Sequence, residues 1–227
     1  MRKAILIIIV LIIGGFCFWF FVSRGGIERE TPILPEQESK IEIPEAKSMP
    51  EQSSNKKIAM IIAFKDFQDQ EYFNTKEVLE NSGAEITTLS SSSGRAIGKY
   101  GGEVEIDRKI DELKVEDFDA VVFIGGPGAA GYIDDAKCHQ IAKETVEKDK
   151  VLGAICIAPA ILAKAGVLQG KKATVWTSLL DKSAAKILKE NGADYRGEDV
   201  VADGKIITAN GPAAAEKFGQ AIVTLLK

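Results

Sequence analysis

A chain of 227 residues that is 45% hydrophobic and 27% charged has globular proportions, which exclude a collagen-like, mucin-like or wholly disordered protein. With 29 Lys and Arg against 33 Asp and Glu, a net charge of −4 and a pI near 5.3, it is a poor binder of phosphate backbones, and nucleic acid is not an expected partner. The apolar residues are unevenly spread, so three segments are read separately: 1–24, 25–55 and 56–227.

Residues 4–22 contain no charge and end in Phe-Trp-Phe-Phe-Val. As a helix this stretch is about 29 Å long, the thickness of a bilayer's hydrocarbon core. The expectation is one N-terminal transmembrane helix, either an anchor or an uncleaved signal, since the small-x-small site of a cleaved signal is missing. Phe16 before Cys17 argues against a lipoprotein signal. Arg2 and Lys3 precede the span while Arg24 and Arg29 follow it, a slight bias toward a soluble part outside the cytoplasm. Residues 25–55 lack aromatics, hold four of the seven prolines, and set seven Glu against three cations. Such a segment buries too little surface to offset its ordering entropy and reads as a tether.

From Lys57 onward, short apolar runs recur at 58–64, 120–124, 151–155 and 206–209. Runs of this length without polar alternation fit strands covered on both faces, as in a parallel sheet. Helical patterns lie between them at 71–81, 134–148, 158–165, 183–191 and 213–226, three of them stopped by Gly83, Gly166 and Gly192. Alternating strands and helices predict an α/β three-layer sandwich with a mostly parallel, flavodoxin-like sheet. The glycine-rich stretch 94–105 predicts a hairpin, and 202–205 a tight turn between two strands. Trp176 and the Phe residues read as core.

The three prolines outside the tether stand at abrupt strand ends: Gly125-Gly126-Pro127-Gly128, Cys156-Ile157-Ala158-Pro159 and Asn210-Gly211-Pro212. In a parallel sheet such ends gather along the carboxyl edge where ligands bind, so Gly125, Pro127, Ala158, Pro159, Gly211 and Pro212 are expected to line a site. Cys156, between a strand and a helix with an early proline, sits on an exposed elbow where the helix N-terminus is expected to lower its thiol pKa. The amides of Gly126 and Ile157 are positioned to hold an oxyanion beside the sulfur; Pro127 has no amide hydrogen to offer.

Four stretches, namely Phe67-Gln68-Asp69-Gln70-Glu71, residues 118–128, residues 154–162 and Ile207-Thr208-Ala209-Asn210-Gly211-Pro212, follow one another in an order that resembles the DJ-1/PfpI (ThiJ/PfpI) family across the whole soluble domain. The resemblance implies that Glu71 lies against the Cys156 sulfur as a protonated acid, and that the protein forms a homodimer. A carboxyl group in an apolar cleft beside an anion has a raised pKa and can act as acid or base near neutrality.

The sequence also departs from the family. Members with peptidase activity carry His directly after the nucleophile, where this chain has Ile157. The only histidine, His139, falls in an earlier helix, so neither that dyad nor the amidotransferase arrangement is available. Deglycase-like relatives place a further His where this chain reads Thr177-Ser178-Leu179-Leu180. Adjacent Cys138 and His139 diverge on a helix, and no metal or other cofactor is expected. Three functions stay open: a membrane-tethered enzyme acting on small reactive carbonyls or their protein adducts, a cysteine redox sensor, and a non-catalytic binding module.

Overall fold

The computed structural model describes residues 56–227. The expected anchor at 4–22 and tether at 25–55 lie outside the described residues, among which no helix is long and apolar enough to cross a membrane.

The first apolar run forms β1 (Lys57–Ile61), and its lack of polar alternation follows from burial on both sides. Ile58 and Met60 enter one apolar cluster while Ala59 and Ile61 enter the other. The chain continues through β2 (Lys65–Phe67), α1 (Asp69–Asn81), β3 (Glu85–Ser90), β4 (Gly94–Gly98), β5 (Glu103–Ile106), β6 (Arg108–Lys109) and β7 (Ala120–Phe123). Then follow α2 (Ala136–Glu147), β8 (Val151–Ile155), α3 (Pro159–Lys164), β9 (Lys172–Ala173), α4 (Ser183–Glu190), β10 (Asp194–Tyr195), β11 (Val200–Asp203), β12 (Ile206–Ala209) and α5 (Ala215–Leu226).

Seven strands form the main sheet in the order β11-β12-β8-β7-β1-β3-β6. Every pairing is parallel except β11 with β12, which the tight turn at 202–205 folds back on itself. Helices α1 and α5 cover one face, and α2, α3 and α4 the other. The result is the expected three-layer sandwich. The glycine-rich stretch is the expected hairpin: β4 and β5 pair antiparallel, and β4 also pairs with β2 in a separate three-stranded sheet.

The sequence reading did not anticipate β3. Its second half is buried although it carries Thr88 and Ser90, and both hydroxyls are satisfied inside the protein. Thr88 Oγ1 pairs with Tyr72 Oη at 2.8 Å, and Ser90 Oγ donates to the Ile62 carbonyl at 2.8 Å. A bonded hydroxyl is tolerated where a hydropathy pattern expects Val or Ile. Helix α1 starts two residues before the predicted Glu71, because the Gln68 side chain accepts from the Gln70 amide and caps it at 68. Its outer flank is held by α5, where a Cβ on Gly219 would lie 2.9 Å from Val78 Cβ, so the two helices approach closely and fix the turn that carries Glu71.

Candidate active site

Strand β8 ends at Ile155 and the next residue, Cys156, has φ 64°, a left-handed conformation costly for any residue with a Cβ. Its backbone is fixed from both sides: its N–H donates to the Ala209 carbonyl at 2.9 Å, and its carbonyl accepts from the Trp176 amide at 2.8 Å. The main chain then turns into α3 through Pro159. The elbow therefore projects the sulfur above the carboxyl edge of the sheet, where the Gly125-Gly126 loop after β7 faces it. The amides of Gly126 and Ile157 both hydrogen-bond toward the Cys156 sulfur.

Gly126 has φ 106°, and a Cβ there would stand 2.4 Å from the Gln68 backbone nitrogen. Gly125 is wedged between the two acidic groups, since its Cβ would lie 2.5 Å from Cys156 Cβ and 2.7 Å from Glu71 Oε2. These contacts explain the paired glycines: only a bare backbone lets the loop pass between the α1 N-terminus and the elbow.

Glu71 is fully buried in the first turn of α1. Its Oε2 accepts from the Gly125 amide at 3.1 Å, while Oε1 has no hydrogen-bond partner and the carboxyl group interacts with the Cys156 thiol. Burial pushes the Glu71 pKa up to about 8, against smaller opposing contributions from Cys156 and the Gly125 amide. At neutral pH it keeps its proton and is a hydrogen-bond donor.

The expectation of a lowered thiol pKa is corrected. Burial pushes the Cys156 thiol up to about 12, the ionised form of Glu71 adds to that rise, and the Gly126 and Ile157 amides only partly offset it. Helix α3 has six residues, too few for its dipole to outweigh desolvation. The two acids therefore titrate as a pair, which gives up its first proton near pH 8 and resists losing the second. Glu71 is the more acidic of the two, so the singly charged form carries its charge on the carboxylate, beside a thiol that the two amides face.

This coupling has a sign that can be measured. Because the Glu71 pKa rises on folding, the folded state binds the proton more tightly, so stability falls as pH climbs from about 4.5 to about 8 and levels off above. The Glu71→Gln variant is expected to flatten that slope in thermal melts. It also removes the like charge beside the sulfur, so above pH 8 iodoacetamide is expected to alkylate its Cys156 several-fold faster than in the parent. Equal melting slopes and equal alkylation profiles would dissolve the pair.

A cavity of about 370 Å³ opens over the sulfur, lined by Gln68, Lys99, Tyr100, Gly126, Pro127, Cys156, Ile157, Trp176 and Pro212. Of the expected lining residues, Pro127 and Pro212 face it. The others do not: Gly125 lies between Cys156 and Glu71, Ala158 and Pro159 are buried at the start of α3, and Gly211 sits beside Trp176, 3.4 Å from its Cδ1 to a built Cβ. Trp176, expected in the core, is instead 36% exposed at the cavity wall, because the segment after β9 runs up to the elbow to hydrogen-bond the Cys156 carbonyl. Gln68, Lys99 and Tyr100 were missed. Their signal was the doublet Gly101-Gly102 in the hairpin turn, which marks close backbone approach without saying to what.

His139 lies in α2 with Nε2 2.7 Å from the Ile133 carbonyl and does not line the cavity over the sulfur. Cys138 beside it is buried, and burial raises its thiol pKa further than that of Cys156.

Comparison with known proteins follows the same lines. The sequence model of the DJ-1/PfpI family matches residues 56–225. The chain belongs to the DJ-1/PfpI family. An uncharacterized protein of Methanocaldococcus jannaschii is 36% identical over 178 residues, covering 78% of this chain and 85% of its own. The deglycase PfpI of Pyrococcus furiosus is 29% identical over 168 residues, 74% of this chain and 98% of that protein. Among solved structures, a ThiJ/PfpI domain protein from Brachyspira murdochii superposes with a TM-score of 0.71 at 32% identity, covering 75% of this chain and 95% of that one. Oxidized DJ-1 of Toxoplasma gondii gives 0.65 at 27% identity, covering 75% and 90%. The family model thus spans nearly all of the described residues 56–227.

Proposed function

We propose that this DJ-1/PfpI protein is a cysteine-dependent enzyme for small 2-oxoaldehydes, or for the adducts they form on proteins, converting them to 2-hydroxy acids. The observation that carries the reading is the buried Glu71 carboxyl, which interacts with the Cys156 thiol and whose Oε1 has no hydrogen-bond partner among the described residues, so that one proton is held beside the sulfur. The family's deglycase-named relatives support the same class of chemistry.

After the pair has lost one proton, the Glu71 carboxylate takes the thiol proton as the sulfur adds to the aldehyde carbon, forming a C–S bond while the carbonyl pair moves to oxygen. The Gly126 and Ile157 amides hold that oxygen, and Glu71 protonates it. Glu71, now a carboxylate, removes the proton from the former aldehyde carbon and returns it to the neighbouring carbonyl carbon, while the hydroxyl proton on the first carbon's oxygen passes to the second carbon's oxygen. One carbon is oxidised as the next is reduced, so no external oxidant is needed. Water hydrolyses the resulting thioester, releasing the 2-hydroxy acid and restoring the thiol. None of these steps needs a histidine or a metal.

The test is turnover of methylglyoxal by the full chain, followed by proton NMR in deuterated water. Lactate should appear and should stop appearing once Cys156 is blocked with iodoacetamide. Failure to consume methylglyoxal, with Cys156 instead taking up two oxygens under mild peroxide, would replace the enzyme by the redox sensor; neither outcome would leave the binding module. Membrane attachment through residues 4–22 and pairing of two copies stay expectations of the sequence and resemblance, to be checked on the same preparation by carbonate extraction and light scattering.

A further inference from the structure

Among the described residues, the cavity over Cys156 has one charged side chain on its wall, Lys99, and no carboxylate lines it. The lysine is presented there by a built support. In the turn between β4 and β5, the Tyr100 and Gly102 amides donate to the two oxygens of the Asp69 carboxylate at 2.9 and 2.7 Å. The Lys99 amide donates to the Phe67 carbonyl at 2.8 Å, and the Gly98 amide to the Gly102 carbonyl at 2.7 Å. A Cβ on Gly98 or Gly102 would come within 2.4 or 2.6 Å of Asp69 Oδ1, so the turn is pressed onto α1 with no room for a side chain between them. Asp69 is 8% exposed and occupied by these amides beneath the turn; it is not on the cavity wall.

The Lys99 side chain itself has no acidic partner among the described residues. Its Nζ lies 5.3 Å from the centre of the Tyr100 ring, a contact that orients the ammonium and leaves its charge uncompensated. The remaining wall is chiefly apolar, from Ile157, Trp176, Pro127 and Pro212, with the Gln68 side chain as a second polar group. A cation at the rim of an apolar pocket attracts an anion more strongly than it would in open water.

We propose that Lys99 makes this cavity a receptor for small electrophiles carrying one anionic group, a carboxylate above all, with the reactive carbon directed to Cys156. The inference deepens the proposed function and rests on it, because it takes Cys156 as the reacting group and names 2-oxoaldehydes that carry an anionic group as the favoured class over neutral ones. Lys99 is a specificity residue here. It stays outside the sulfur-carboxyl pair and takes no part in moving protons.

Iodoacetate and iodoacetamide test this without assuming any catalysis, since they are nearly equal in size and differ in charge. In the full chain, the ratio of their alkylation rates at Cys156 is expected to exceed the ratio measured on glutathione. Lys99→Met should lower it about fivefold by slowing iodoacetate alone, Lys99→Arg should largely restore it, and raising the salt concentration should compress the difference. A ratio unchanged in Lys99→Met, or equal to that of glutathione in the parent, overturns the proposal. Should Cys156 resist both reagents, the proposed function falls. In that case, saturable quenching of Trp176 by glyoxylate in a Trp19→Phe background decides the subsite: loss of binding in Lys99→Met upholds it, and binding that survives, or is absent in the parent, rejects it.

Discussion

Replacing Cys156 with Ser is expected to lower methylglyoxal turnover by at least about a thousandfold, roughly 4 kcal/mol of transition-state stabilisation, while leaving the melting temperature nearly unchanged. The reason lies in the neighbour. The Glu71 carboxylate is a weak base that can take the proton of a thiol but not that of a serine hydroxyl, which is far less acidic. Serine fits the elbow sterically and keeps the backbone bonds to Ala209 and Trp176, so the fold has no cause to change. Cys138→Ser serves as the companion, because that thiol is buried in α2 away from the cavity and its loss should leave turnover intact. A Cys156→Ser enzyme that still turns over would move the chemistry to another residue and end the proposed function.

Gly126→Ala should be strongly destabilising. The position has φ 106°, where an L side chain is strained, and the added methyl would meet the Gln68 backbone nitrogen at 2.4 Å, the Asp66 carbonyl oxygen at 2.6 Å and the Phe67 carbonyl carbon at 2.7 Å. None of the three is the end of a flexible side chain, so the main chain itself must move. Strain and overpacking together are expected to cost about 3 kcal/mol or more, a drop of roughly 6 to 12 °C in melting temperature for a domain of this size. Turnover should fall further than the lost folded fraction accounts for, because the same shift withdraws an amide from the sulfur. Gly131→Ala is the control, since nothing lies within 4 Å of a Cβ there. If the two variants melt together, the loop is softer than its contacts require.

The fold was legible because its signals are local. Runs of apolar residues without alternation specify strands covered on both faces, and glycines after periodic stretches specify where helices stop. β3 escaped because Thr88 and Ser90 satisfy their hydroxyls against Tyr72 and Ile62, partners that no window of sequence contains. The centre of the site was legible for a similar reason: Cys156, Gly126 and Ile157 belong to strand ends whose convergence a parallel sheet guarantees. Glu71 needed the family resemblance, since by itself it is one more acid in the first turn of a helix. The rim was hidden altogether. Lys99, Tyr100 and Trp176 reach the cavity through a hairpin and a loop whose docking depends on long-range bonds to Asp69, Phe67 and Cys156. The expected fall in the thiol pKa failed on magnitude, since burial of the sulfur outweighs a six-residue helix.

One turn of α1 serves three masters at once: Gln68 faces the cavity, Asp69 grips the hairpin, and Glu71 meets the sulfur. Asp69 grips that hairpin by main-chain amides alone, which every residue except proline possesses. The side chains at 99 and 100 are thus free to vary without loosening the clasp or disturbing the proton-holding pair. A protein built this way can exchange what it recognises by single substitutions at its rim while inheriting its chemistry unchanged, which is how one scaffold comes to serve many small molecules.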